Sequence, residues 1–540
     1  MRCSSFRTLA RTLAVDSLAA IAICFAFSPW AAAANFDDKV RTRAERALRE
    51  GDFPAAEQLY RELVGRDSHD NRARLGLSLA LLKQRNLRDA YDHAARVIVA
   101  DPLSSRAHAL LGATILAAGD FHLSVEEFRT ALILDEDEAM AVAGLAMVEF
   151  YENRMDAAIK GLRRAAALAP NEADYVFDLG QAAARSERYR EAADSYERFL
   201  AIAPKTDADR RARIRGLIDF LRYLGQQNSL YDLAGANRTV VPFESTDGRP
   251  LLQVRVNGEK TPLRFVLDTG SGMSVVSEAT AKRLGMRPVA RGGTSRAVGG
   301  GGRFEIVYGF LSSIEVGEVR MQNVPVYIRH FYDENSPVDG YLGLSVIAKF
   351  ITSIDYGEHT FTLARNRSSD TLDPWSVLSR ADAVEPTNSK PTGVDIPLRS
   401  TSSGFLSGEV RIEGVDKTWN FIIDTGATIS VVSAELAVVE GMSGFEQKER
   451  TRVYGAAGIT DDVKTLLLPS VMLGSLAREK INAAVLDLDP VNETAGFKQS
   501  GILGSNFLRH FRVSFDFQRS LIRLEPLSQR AKATEDVKRE

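Results

Sequence analysis

Two stretches hold the residues of this chain best suited to chemistry: Phe265–Ser277, FVLDTGSGMSVVS, and Phe421–Ser433, FIIDTGATISVVS. Each runs an apolar triplet into Asp-Thr-Gly and, a short step later, into Ser-Val-Val-Ser. One Asp-Thr-Gly is weak evidence; two in matching flanks offer two carboxylates, Asp268 and Asp424, from two similar units. Neighbouring carboxylates cannot easily both ionise, so such a pair shares one proton. The ionised member can act as a base toward water while the protonated member serves as an acid. Gly270 and Gly426 leave no side chain at the tight turn, so loop backbone can approach the carboxylates.

Both loops lie in a repeated β pattern. After Gln227, short alternating runs bounded by glycine replace helical spacing: Leu251–Val256 before Asn257-Gly258, then Arg264–Leu267, Phe304–Phe310 and Val324–Ile328. A second unit runs from Gly404–Ile412 through Trp419–Ile423, Leu466–Leu473 and Asn482–Leu488. The closing stretches, Tyr341–Arg365 and Ile502–Pro526, align without a gap, Gly343 with Gly504 and Asp355 with Asp516. Asp355 and Asp516 follow the closing element and are expected to cap or pair structurally. The halves are expected over residues 240–365 and 395–526. A polar, proline-bearing linker (366–394) is expected between them, and the charged tail (527–540) is expected to be disordered.

Strand, Asp-Thr-Gly loop, glycine-rich hairpin and apolar-apolar-Gly element (Tyr341-Leu342-Gly343, Ile502-Leu503-Gly504) occur in that order twice. This resembles the retropepsin-like branch of the aspartic proteases. The resemblance implies an all-β, two-lobed, acid-protease-like pair of barrels that hydrolyses peptide bonds with a water held between Asp268 and Asp424. It implies that Thr269 and Thr425 tie the loops together by hydroxyl hydrogen bonds, and it places Ser271 and Ala427 beside the pair. Ser271 is in a position to hydrogen-bond Asp268, whereas Ala427 has no hydroxyl. Flap tips are expected at Gly299, Gly300, Gly301 and Gly302 and at Gly455 and Gly458. No cofactor or metal is expected: the seven histidines are scattered and none has a ligand spacing. The two halves are expected to pair within one chain, with pairing between two chains as the alternative.

Ahead of these halves, from Phe36 to Pro204, a period of 34 places Ala56, Ala90, Ser124, Ala158 and Ala192 at one phase. Tyr60, Ala94, Phe128, Leu162 and Tyr196 follow four positions later, and Pro102, Pro170 and Pro204 end three units. This resembles the tetratricopeptide repeat, about five stacked pairs of amphipathic helices forming a superhelix, with a terminal capping helix within 207–227. The array (36–227) is expected to bind a protein substrate or partner, the alternatives being a spacer or a dimerisation arm. A non-catalytic peptide-binding scaffold is the alternative for the whole chain.

Arg2, Arg7 and Arg11, the apolar run Leu18–Phe27 and the small residues Ala31–Ala34 read as an export signal over 1–34, for a periplasmic or secreted protein. An uncleaved membrane anchor is the alternative, although the apolar run is short of the ~20 residues a span needs. The only cysteines, Cys3 and Cys24, fall in that signal, so the mature body is expected to lack disulfides. A net charge of −3 gives no electrostatic case for nucleic acid.

Overall fold

The computed structural model describes residues 37–333, 337–366, 374–378 and 393–527. The expected export signal, almost all of the expected tail and most of the expected linker lie outside the described residues. Among the described residues, no helix is long and apolar enough to cross a membrane.

The N-terminal part is built of helix pairs: residues 37–50 with Phe53–Arg66, Asn71–Lys83 with Leu87–Ala100, Ser105–Ala118 with Phe121–Leu134, Ala139–Tyr151 with Met155–Leu168, and Ala173–Arg185 with Tyr189–Ile202. A longer helix, Ala208–Leu224, follows. The periodic small residues explain the close approach of these helices: Ala56, Ala90, Ser124, Ala158 and Ala192 are all 0% exposed. Gly112 and Gly180 receive the rings of Phe128 and Tyr196, where an added Cβ would lie 2.8 and 3.0 Å from ring carbons.

Each pair also turns in the same way. Gly51, Arg85, Gly119, Asn153 and Glu187 recur at the repeat period and all have positive φ, from 59° to 94°. Only two are glycine. Arg85 and Glu187 hold left-handed backbone at a steric cost that packing of the flanking helices must offset.

The chain forms two compact units. One comprises the array through Ile115 with Glu126–Ala141 and Pro204–Thr206; the other comprises Leu116–Val125, Val142–Ala203 and everything from Asp207. The first has its own core, in which Val40, Ala44, Tyr60, Leu63, Leu77 and Leu81 are buried.

The second unit contains the β halves. In the first half, Gly340–Leu342 lies parallel to Leu263–Leu267 and antiparallel to Val275–Ser277. In the second half, Gly501–Leu503 sits the same way between Thr418–Ile423 and Ser430–Ser433. The first half begins ahead of residue 240, because strand Asp232–Gly235 already pairs with Val319–Arg329. Within the expected linker, residues Pro374–Leu378 form a short 3-10 turn whose Trp375 is buried. Asp395 accepts from the Trp375 indole, and the Arg523 guanidinium lies over its ring.

The closing stretches meet in one six-stranded sheet, Val394–Pro397, Leu521–Pro526, Phe511–Asp516, Phe350–Asp355, Thr360–Arg365 and Arg238–Pro242 in spatial order. At its centre Ile351 faces Asp516, Ser353 faces Ser514 and Asp355 faces Arg512. The Ser514 and Ser353 hydroxyls bond at 2.9 Å on the local pseudo-twofold. Asp355 takes the backbone N–H groups of Gly357 and Glu358 and pairs with Arg512; Asp516 takes those of Gln518 and Arg519. Both close β-turns, so neither is a second acidic site.

Candidate active site

The shared sheet sets the two Asp-Thr-Gly loops face to face within one chain. Each loop leaves its strand by the same hydrogen bond: Asp268 N donates to Leu342 O and Asp424 N to Leu503 O, both at 3.0 Å. The Ser-Val-Val-Ser run has a purpose at each end. Ser274 and Ser430 accept from the backbone N–H of Gly343 and Gly504, tying each loop to its closing element. Ser277 and Ser433 cap the short helices Glu278–Arg283 and Ala434–Val439. Gly343 is glycine for lack of room: an added Cβ would lie 2.7 Å from Ser271 O and 2.8 Å from Met273 O.

Thr269 and Thr425, both 0% exposed, cross-link the loops. The Thr269 hydroxyl donates to Ile423 O at 2.8 Å and accepts from Thr425 N at 3.0 Å. The Thr425 hydroxyl donates to Leu267 O at 2.8 Å and accepts from Thr269 N at 3.1 Å. Gly270 and Gly426 each face the carboxylate of the other half; an added Cβ at Gly426 would lie 2.6 Å from Asp268 Oδ1. A side chain at either glycine would occupy the opposing carboxylate's place.

The environments of the two carboxylates differ, for a reason unlike the expected one. Ser271 donates its hydroxyl to Met273 O at 2.9 Å, not to Asp268, because the loop curls back on itself there. The asymmetry is in the backbone instead. Asp424 accepts from Gly426 N at 2.7 Å and Ala427 N at 3.1 Å, whereas Asp268 accepts from Gly270 N at 2.9 Å. Burial raises both carboxyls above their usual range; at Asp268 the neighbouring Asp424 charge adds to it, while at Asp424 the backbone donors oppose it. N–H donors favour the ionised form, so these contacts favour the charge on Asp424, while the single shared proton titrates as a property of the pair.

Both flap candidates are hairpin tips, and they meet. The first hairpin is Ala290–Arg296 with Arg303–Val316, and Gly299, Gly300 and Gly301 at its tip all have positive φ. The second is Glu446–Gly455 with Gly458–Leu473. An added Cβ on Gly299 would lie 2.7 Å from Gly455 Cα, and one on Gly302 2.7 Å from Ala457 O. Gly300 N donates to the Thr460 hydroxyl across the junction. Only glycine lets the two backbones approach this closely.

Two contributors were not legible in the sequence. One is Arg329, at the end of strand Val319–Arg329, which reaches the flap junction. The other is helix Ala208–Leu224, expected only as a cap on the array. It lies along the first flap hairpin at a bulge between Arg291 and Thr294. Arg213 donates to Thr294 O at 3.1 Å, Phe220 stacks on Tyr308 at 4.2 Å, and Tyr223 meets Phe310 edge-on. Neither the helix's amphipathic spacing nor the strand's alternation marks these partners. An added Cβ on Gly216 would collide with Arg291 O and Gly292 Cα. Gly216→Val is therefore expected to loosen the hairpin at a cost of about 1–3 kcal/mol. Faster amide exchange over 290–316, with unchanged helical circular dichroism, would show it; unaltered exchange would refute the clamp.

The helices of this unit also hold the second half. Phe121 and Tyr151 pack on Phe497, and Arg185 stacks over Phe150 at 4.0 Å while donating to Thr401 O and Ser402 O. Among the described residues, no group of three or more His, Cys, Asp or Glu is arranged to hold a metal ion.

Family models match both parts of the chain. An aspartyl protease model matches residues 252–346 and 408–507, and tetratricopeptide repeat models match 47–113, 111–173 and 143–206. No curated protein matches. Similar solved structures include a thermophilic tetratricopeptide protein of Thermus thermophilus, at 19% identity and TM-score 0.30, covering 34% of this chain and 98% of that one. The aspartic proteinase of Irpex lacteus is another, at 14% identity and TM-score 0.35, covering 54% of this chain and 98% of that one. The chain thus carries tetratricopeptide repeats ahead of a duplicated protease-like domain.

Proposed function

We propose that this repeat-bearing, protease-like chain is an aspartic endopeptidase whose catalytic pair is Asp268 and Asp424. One observation carries the reading: two carboxylates from two halves face each other, fixed by the Thr269–Thr425 cross-link, with two backbone N–H donors on Asp424 and one on Asp268. In this mechanism ionised Asp424 takes a proton from a water held between the carboxylates. The water oxygen attacks the peptide carbonyl carbon as Asp268 gives its proton to the carbonyl oxygen. Collapse of the tetrahedral gem-diol then breaks the C–N bond, with the proton taken by Asp424 passing to the leaving amine and one hydroxyl proton of the gem-diol returning to Asp268. The flaps cover the extended peptide, and the helical array recruits the protein to be cut.

The test is cleavage of an unfolded protein by the full chain across pH. Activity needs the singly protonated pair. It rises with pH as Asp424 ionises and falls as Asp268 loses its proton. Both carboxyls are raised above 3.8, so the bell is expected to lie above the pH at which isolated carboxyls titrate. A profile climbing steadily into alkaline pH, or no cleavage at any pH, would overturn the reading.

A further inference from the structure

Arg329 is half-buried at the junction of the two hairpins, and among the described residues no carboxylate lies within ion-pair distance of it. Its face stacks on Phe304 of the first flap hairpin, 3.8 Å from the ring centroid. One N–H donates to Ala456 O, at the tip of the second flap, at 2.8 Å. Tyr327, Tyr332, Tyr341 and Asp268 are all near enough to interact with it electrostatically. Burial pulls its pKa down, as it does for a cation removed from water without full compensation.

The position is what makes the group informative. Arg329 touches both hairpins, Phe304 on one and Ala456 on the other, and lies within electrostatic range of Asp268. Stacking on Phe304 fixes the guanidinium plane, and among the described residues the bond to Ala456 O leaves its other N–H donors without a protein acceptor. A planar, pre-oriented fork with spare donors suits a carboxylate.

We propose that Arg329 is a specificity-determining residue that binds a carboxylate of the substrate, so that the cleft prefers peptides with an acidic group close to the scissile bond. The proposal rests on the endopeptidase reading for where the peptide lies. The carboxylate has two possible sources, an acidic side chain or a nearby chain terminus.

The experiment uses the full chain and one peptide scaffold in matched versions: Asp or Glu against Asn or Gln at each position flanking the cut, and a free against an amidated C-terminus. The acidic or free-terminus version is expected to have kcat/KM about tenfold or more above its neutral partner, the scale of a charged hydrogen bond. Whichever pair shows the ratio identifies the source. Arg329→Gln should bring that ratio near one, Arg329→Lys should restore part of it, and Arg329→Glu should shift preference to lysine-bearing peptides. A guanidinium that only latches the flaps would slow all peptides alike, so an unchanged ratio in Arg329→Gln overturns the inference. The same peptides are also read by fluorescence binding to the wild-type chain and Arg329→Gln. If nothing is cut, the endopeptidase reading falls, and the binding ratio still decides whether Arg329 selects a carboxylate.

Discussion

Replacing Asp268 or Asp424 by asparagine is expected to lower cleavage of an unfolded protein by roughly 10²–10⁴-fold, the range supplied by a positioned acid or base. Asparagine keeps the shape but can neither share the proton nor become the base. The two variants should differ in stability. Asp268 is held above its ordinary value by burial and by Asp424. A carboxyl raised in the folded state contributes stability at low pH, and that contribution is lost as pH rises through its folded value. Asp268→Asn is insensitive to this loss, so near neutral pH it should melt higher than wild type while cutting far less. Asp424→Asn should gain less, because the N–H groups of Gly426 and Ala427 already favour its charge. Full activity in either variant would exclude the mechanism, and a fall in melting temperature for Asp268→Asn would show that inactivity came from structural damage.

Thr269→Val is the second large effect expected. Valine matches the volume of threonine but removes the hydroxyl that donates to Ile423 O and accepts from Thr425 N. Two groups from the other half are then left buried without partners, at about 1–3 kcal/mol each, or roughly 2–6 kcal/mol in all. Denaturant unfolding should show that loss. Activity should fall with it, since the same bonds set the spacing of the carboxylates. Thr269→Ser keeps the hydroxyl and should recover most of both. If the valine variant is as stable and active as wild type, the cross-link does not hold the pair.

Composition and periodicity carried much of this protein into view. The spacing from Ala56 to Ala192 shows because one small residue per repeat is the steric condition for helices to touch, and a steric condition leaves a residue type behind. The Asp-Thr-Gly loops show for the same reason: no side chain fits at Gly270 or Gly426, and the hydroxyls of Thr269 and Thr425 are placed to reach the opposite strand. Repetition of the loop with its flanks then argued for a pair.

Whatever depends on distant partners came only with folding. Ser271 stood beside Asp268 in the chain, yet its hydroxyl turned to Met273 O, and the difference between the carboxylates came from backbone N–H groups that every residue but proline possesses. Arg85 and Glu187 adopt the same left-handed turn as Gly51 and Gly119, a conformation that their residue types disfavour and that packing imposes. The helix Ala208–Leu224 reads as an ordinary amphipathic cap, and only folding lays it along the first flap. Arg329 reads as a charge at the end of a strand, and only the meeting of two hairpins far apart in the chain brings Phe304 and Ala456 to it. Which groups can do chemistry is written in the order of residues, because that depends on residue type and local sterics. Which of them meet, and which elements pack against the two hairpins, were decided by the fold, because those depend on neighbours that the order of residues does not reveal.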